Sequence, residues 1–383
     1  MTDADPDRTA PRADASGPDG GVTVGVVGLG GLGRKHSRLV RDGEATLVGG
    51  VDVSEAARRE FTAEFDVPCF ETFEELHATG VDAVVITTPN RFHEEYAVAA
   101  LDAGVHVLCE KPLADSVAGA ERIVAAARRS EAVCTVGFNN RFNPPVQTVL
   151  DAREDGSLGE IAHVEAKWLR RCGVPGTGTW FTQRRLAGGG ALIDLGVHVI
   201  DLALHLLGDA TVVEVSGVTR ARFDCSGEVE TGPPGRELPE PDVEDAATAF
   251  LRCEDGRTIS VDVAWATHRG ESDEFVVTGS DGGARFTLHD PDVTFYDLDA
   301  DESSTTVLTD GSGGYVDEHR QFFDAVRSGG GPGLDTLEQA CTVQRIIEAI
   351  YRSDAEGRAV RLDTDGRCSP VTTEPSTSTE AGD

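Results

Sequence analysis

The sequence predicts an α/β protein of two domains: a doubly wound parallel sheet, then a second α/β domain on an open, mainly antiparallel sheet. Between residues 22 and 143 apolar runs alternate with amphipathic helical stretches, the order that builds a parallel sheet covered by helices. Beyond about 160, strand-like segments follow one another with turn signals and little helix between them, which suits antiparallel pairing. A chain of 383 residues is also longer than one ordinary core organises.

In the first domain VTVGVVG, ATLVGGVDV, DAVVITTP, VHVLCEK and AVCTVGF read as strands, because they are short and rich in Val and Ile. SEAARREFTAEF, RFHEEYAVAALDAG and VAGAERIVAAARRS read as the helices between them. In the second, the strands are AHVEAKWLR, VVEVSGVTRARF, DAATAFLRC, RTISVDVAWATH, DEFVVTGS, GARFTLHD and VTFYDLDA, closed by helices around DEHRQFFDAVRSG and LEQACTVQRIIEAIYRSD. The boundaries expected are a disordered tail over 1–21, the first domain over 22–143, the second over 144–363 and a tail over 364–383. The acidic, Pro-rich stretch 226–245 reads as a long surface loop.

The formal net charge is −33, and only three of the 34 basic residues are lysines: Lys35, Lys111 and Lys167. An acidic, Lys-poor but foldable composition is that expected of a haloarchaeal-type, salt-rich cytoplasm, where self-repulsion is screened. The same charge excludes nucleic acid and anionic membranes as partners. The opening residues carry no apolar leader and no apolar run reaches the length of a bilayer span, so the expected location is cytoplasmic. Eight cysteines without clustered spacing read as small buried hydrophobes in a reducing compartment.

VTVGVVGLGGLGRKHSRLV holds Gly28, Gly30 and Gly33, with Leu32 between the last two, directly after a strand and opening a helix. Such glycines allow a tight turn and let a pyrophosphate approach the amides of a helix N-terminus, the signature of a Rossmann domain. Asp52, at the end of the second strand, can accept both adenosine ribose hydroxyls and would repel a 2′-phosphate, which selects NAD over NADP. Arg58 and Arg59 read as solvated charge.

GGGALIDLGVHVIDLALHLLG, residues 188–208, is apolar on nearly all sides except for Asp194, His198, Asp201 and His205, which share one stripe at helical spacing. Buried carboxylates and imidazoles without partners cost several kcal/mol, so the stripe must meet a cavity, a metal, a ligand or its own partners. Alcohol oxidation needs a base for the hydroxyl proton, and His198 suits it, with Asp194 one turn back to orient the ring. Lys111, leaving a strand at the ligand-binding end of a parallel sheet, can donate to the oxygen that becomes a carbonyl. Asp201 reads as structural rather than catalytic, either capping or pairing with a neighbouring Arg, and His205 as a half-buried histidine. Asn139, Asn140 and Arg141 line the substrate pocket or brace the domain junction, and Trp180 stacks on a sugar ring or anchors the core. Metal ligation by the stripe is disfavoured because its members spread along the helix axis.

TTPNRFHEEYAVAALDAGVHVLCEKPLADS and GGGALIDLGVHVIDL, together with the Gly-rich turn, resemble the glucose-fructose oxidoreductase / inositol dehydrogenase family, also called Gfo/Idh/MocA. The resemblance runs from about 22 to 363 and is specific at Thr88-Pro89-Asn90 with His93, at Glu110-Lys111-Pro112 and at Asp194 to His198. It implies that Thr88, Pro89, Asn90, His93 and Glu110 serve the cofactor, with a satisfied helix-start histidine an equal reading of His93, and that Lys111, Asp194 and His198 are catalytic. The substrate class implied is a sugar, cyclitol or sugar derivative, and the open sheet implies a homodimer or homotetramer. Two alternatives keep the cofactor: glycoside cleavage through transient oxidation, and a non-catalytic NAD-binding sensor.

Overall fold

The structure is a computed structural model that describes residues 21–176, 179–221, 240–297, 305–309, 313–329 and 336–362. The tails read from sequence, and most of 226–245, lie outside the described residues. The chain divides into two units: 1–114 with 118–139 and 315–338, and 115–117 with 140–314 and 339–383.

The first unit is built on β1 (Thr23–Val27), β2 (Thr46–Val51), β3 (Cys69–Phe70), β4 (Ala83–Ile86), β5 (His106–Glu110) and β6 (Cys134–Gly137). Its helices are α1 (Gly31–Asp42), α2 (Glu55–Phe65), α3 (Phe73–His77), α4 (His93–Asp102) and α5 (Val117–Ala127). The strands are all parallel, in the order β3-β2-β1-β4-β5-β6, the doubly wound arrangement with its switch point beside β1. Their near-continuous Val and Ile runs follow from burial on both faces. The sequence reading missed β3 and α3, which are two and five residues long. It also ended this domain at 143, whereas α9 (Tyr315–Ser328) returns to it: Phe322 and Phe323 join Val24, Val26, Val40, Phe61 and Leu108 in one core.

The second unit contains α6 (Pro144–Glu154), β7 (Ile161–Leu169), α7 (Arg184–Ala187), α8 (Val197–Leu207) and β8 (Val212–Arg220). The chain continues through β9 (Ala246–Cys253), β10 (Thr258–Ala264), β11 (Glu274–Gly279), β12 (Gly282–Thr287), β13 (Asp292–Asp297) and β14 (Thr305–Leu308). α10 (Thr336–Glu356) and β15 (Val360–Arg361) close it. The nine-stranded sheet runs β14-β13-β12-β11-β7-β10-β9-β8-β15, antiparallel throughout except where β7 and β10 pair parallel. α8 packs on β7, and Leu192, Val199, Ile200 and Leu202 are fully buried at 0% exposure, each contributing about 2 kcal/mol by area. Arg184–Leu207 is long and apolar enough to cross a membrane, but 89% of its apolar window is buried within the protein, as in a core helix.

Two expectations need correction. The end of the stretch read as a surface loop is buried: Val243, Glu244 and Asp245 are 8%, 4% and 8% exposed, because Glu244 is used inside the second unit. Among the cysteines, 69, 109, 134, 253 and 341 are free thiols, but Cys172 is disulfide-bonded, a pairing that spacing alone does not reveal.

Candidate active site

Gly28 ends β1 with φ +94°, and a Cβ there would stand 2.8 Å from the Thr88 nitrogen, while one at Gly33 would stand 2.0 Å from the Gly28 carbonyl. Those two glycines are demanded by the chain's own packing. A Cβ at Gly30 would meet nothing within 4 Å, and no side chain caps α1, so its first amides face open space at the positive end of the helix dipole. Leu32 lies half-buried in that first turn. Asp52 follows β2 and accepts the Leu29 amide at 2.9 Å and the Ser54 amide at 2.8 Å, one on each carboxylate oxygen. Each oxygen keeps a further lone pair. Arg58, read as solvated, donates to the Asp52 carbonyl at 2.6 Å and lies 3.8 Å from Glu71. The buried Thr88 hydroxyl has no partner among the described residues. An uncapped helix start, an open glycine, a carboxylate at the end of β2 and an unpartnered hydroxyl fit a dinucleotide.

Two residues expected at the cofactor are otherwise engaged. His93 is 1% exposed, with Nδ1 2.8 Å from the Pro112 carbonyl and Nε2 2.8 Å from that of Thr88, so its ring ties the Thr88 and Pro112 segments together. Glu110 is 2% exposed; it accepts the Lys111 amide at 3.1 Å and meets His36 Nε2 at 2.8 Å. Its task is to hold the backbone of Lys111, whose half-buried side chain leaves the C-terminal end of β5. Asn90, 4% exposed, opens the 3-10 turn Asn90–Phe92 behind Pro89.

In the second unit Leu192–Gly196 forms a π-helical turn that runs into α8, so the four polar residues do not keep one α-helical stripe. They go to different surroundings. Asp194 accepts the indole N–H of Trp265 at 2.9 Å. His198 is 7% exposed, its ring centroid 5.6 Å from that of Trp168 on β7. Asp201 is buried against Arg141, Nε to Oδ2 at 2.8 Å with Nη2 on the other oxygen, and Gln339 adds a bond at 3.1 Å. Arg141, read as a candidate substrate contact, is thus committed to Asp201. Burial pushes the Asp201 carboxyl up and Arg141 pulls it back.

Burial, with Arg141 and Arg153 adding to it, lowers His205 to about 4, so its ring is neutral at pH 7. The unfolded chain takes up this proton near pH 6.5 and the folded one only near 4, so stability falls as pH drops through that window. Melts of the wild type and His205→Gln between pH 7.5 and 4 should diverge, the wild type losing on the order of 3 kcal/mol more. Parallel curves would exclude this linkage.

Sequence reasoning missed Trp168, Trp265, Glu244 and Tyr351. Glu244 Oε1 accepts the Gly190 amide at 2.8 Å, the Leu192 amide at 3.0 Å and the Tyr351 hydroxyl at 2.8 Å, capping the helix that carries Asp194. Gly190 lets this approach happen, since a Cβ there would sit 1.9 Å from the Glu244 carbonyl. Trp180 stacks on Phe181 at 3.8 Å, and Asn139 lies half-buried at the start of the 3-10 turn Asn139–Phe142. The indole beside His198 is that of Trp168.

A doubly wound sheet with an uncapped glycine turn, followed by an open-sheet unit carrying a half-buried Asp194 and a buried His198, is the arrangement of a dinucleotide-dependent oxidoreductase. Residues 22–138 match the oxidoreductase family with an NAD-binding Rossmann fold (GFO/IDH/MocA), and residues 146–285 match the GFO/IDH/MocA C-terminal domain. The chain belongs to this family. It is 38% identical over 268 residues to a putative UDP-kanosamine synthase oxidoreductase subunit of Amycolatopsis mediterranei, covering 69% of this chain and 74% of the relative. It also resembles GenD2 from gentamicin A biosynthesis, solved in complex with NAD, at 29% identity and a TM-score of 0.75, covering 93% of this chain and 100% of that one. Levoglucosan dehydrogenase in complex with NADH and levoglucosan shares the fold, with a TM-score of 0.79 at 24% identity over 90% of this chain and 100% of that one.

Proposed function

We propose that this chain is an NAD-dependent dehydrogenase acting on a hydroxyl-bearing carbon of a sugar, cyclitol or sugar derivative. The observation that carries the reading is His198, held beside the Trp168 indole in the unit where Asp194 is fixed by Trp265. NAD, when bound, supplies the hydride acceptor. His198 takes the hydroxyl proton as the C–H bond breaks, and Asp194 favours the imidazolium that results. Lys111 donates a hydrogen bond to the oxygen as it becomes a carbonyl, from a backbone that Glu110 holds. The Trp168 face offers the apolar surface on which the C–H face of a sugar ring rests. The similarity to a UDP-kanosamine synthase oxidoreductase subunit and to a levoglucosan dehydrogenase favours a carbohydrate substrate.

The test is a panel of sugars and cyclitols incubated with NAD and followed at the NADH absorbance. Net NADH with one of them supports the reading. Product without net NADH would favour glycoside cleavage through transient oxidation, and cofactor binding with no turnover would favour a sensor.

We place the protein in the cytoplasm, as a homodimer or homotetramer joined through its open sheet. On that sheet Val218 and Phe250 are 42% and 38% exposed, apolar surface that a second copy would cover. NAD should be preferred over NADP, because a 2′-phosphate would meet the Asp52 carboxylate. Asp52→Ala should weaken NAD binding severalfold and narrow the gap between the two cofactors. Preference for NADP in the wild type would instead assign the pocket to Arg58.

A further inference from the structure

Residues 166–193 contain Lys167, Arg170, Arg171, Arg184 and Arg185 and no Asp or Glu. With 67 acidic residues in 383, about five would fall in a stretch of this length, so the acid-free run is a local departure from the composition. It links Trp168 to the turn that carries Asp194.

Its cations are not equivalent. Lys167 meets Glu165 at 3.3 Å, Arg184 meets Glu244 at 3.7 Å and Arg185 donates to the Gln183 side chain at 2.7 Å. The Arg170 guanidinium, half-buried, has no carboxylate partner among the described residues and makes one hydrogen bond, to the Gly173 carbonyl at 3.4 Å. Its Cζ is 5.6 Å from the Trp168 ring centroid, which is itself 5.6 Å from the His198 ring. Guanidinium and imidazole thus share one indole and lie no more than about 11 Å apart. Trp168 and Arg170 are two apart on extended chain and share a face.

Residues 170–173 are fixed rather than loose. The Arg170 amide donates to the Ala264 carbonyl at 2.9 Å, the Gly173 amide to that of Trp265 at 2.7 Å, and the Thr267 amide to that of Arg171 at 3.1 Å. Trp265 therefore pins this segment with its carbonyl and Asp194 with its indole. Gly173 leaves room for the arginine: a Cβ there would stand 2.6 Å from Arg170 Cδ.

We infer that the substrate is an anionic sugar, bearing a phosphate or carboxylate that Arg170 grips while the ring lies on Trp168 and the reacting hydroxyl reaches His198. This rests on the dehydrogenase reading. A planar guanidinium binds either anion through two parallel hydrogen bonds. An anion approaching a chain of net charge −33 meets repulsion, and Glu271, which accepts the Arg171 amide at 3.2 Å, and Asp273, paired with His289, border the segment, so the half-buried Arg170 guanidinium is the charge that offsets them.

The experiment compares kcat/KM at one fixed salt concentration for glucose, glucose 6-phosphate, glucuronate and UDP-glucose, in wild type, Arg170→Gln and Arg170→Lys. One anionic sugar should exceed glucose by at least tenfold. Arg170→Gln should abolish that ratio while leaving the rate on glucose within twofold, and Arg170→Lys should keep part of it. Whichever probe leads tells phosphomonoester, carboxylate and diphosphate apart. Glucose turned over as well as every anionic sugar, or Arg170→Gln lowering all four alike, overturns the inference and leaves the dehydrogenase reading standing. If no sugar yields NADH, the dehydrogenase reading falls, and calorimetry of glucose 6-phosphate and glucuronate binding decides this one: binding lost in Arg170→Gln supports it, and binding that is absent or unchanged overturns it.

Discussion

Replacing His198 with alanine is expected to lower kcat by about a hundredfold or more while NAD affinity stays nearly intact, the scale of a lost general base. The ring belongs to the second unit and the glycine turn to the first, so NAD affinity reports on the first unit and a thermal melt is needed to show that the second is intact. Lys111→Ala should cost a comparable factor, through loss of the donor to the developing carbonyl. Asp194→Asn is the more discriminating variant. The amide oxygen can still accept the Trp265 indole N–H, so the local structure survives, while the charge that favours the imidazolium is gone. A normal melt with a large loss of kcat is the expected result, read by steady-state kinetics and thermal denaturation on the same samples. Normal turnover in His198→Ala would move the base elsewhere, with Lys111 first in line. His205→Ala should instead affect stability, since that ring is neutral and largely desolvated.

The parts of this molecule that were legible in its sequence are those fixed by short-range chemistry. Strands buried on both faces announce themselves as Val and Ile runs, and the turn at Gly28 needs a residue that tolerates positive φ. Elements of two residues, such as β3 and β15, carry no period to read. α9 is amphipathic and visible, but nothing local says which core receives Phe322 and Phe323. The helix at 188–208 was legible as a buried polar-striped element, whereas the π turn within it was not, and neither was Glu244, which accepts the Gly190 amide from 54 residues away. Trp168 and Trp265 reach His198 and Asp194 only through the topology of β7 and β10. Glu110 and His93 carry a second lesson: motif position pointed to the cofactor, while their buried polar atoms also bond within the chain itself, which only the topology reveals.

The second large effect expected is on salt. A chain of net charge −33 repels itself in every compact state, and the repulsion weakens as the Debye length shrinks from about 30 Å at 0.01 M to about 3 Å at 1 M. The pairs that counter it are mostly exposed, such as Arg34 with Glu60 and Arg38 with Glu64, and contribute little each. Few Arg residues are therefore asked to balance many carboxylates, and added cations must do the rest. Cooperative folding and NAD binding should require roughly molar KCl, with the melting temperature rising steeply from dilute buffer upward. Sucrose at matched water activity separates screening from general exclusion effects, because it stabilises compact states without shortening the Debye length. Rescue by KCl but not by sucrose is the expected pattern. Full stability in dilute buffer would show that the carboxylates are spread widely enough for water alone to hold their repulsion below the folding free energy, and would remove the ground for placing this protein in a salt-rich cytoplasm.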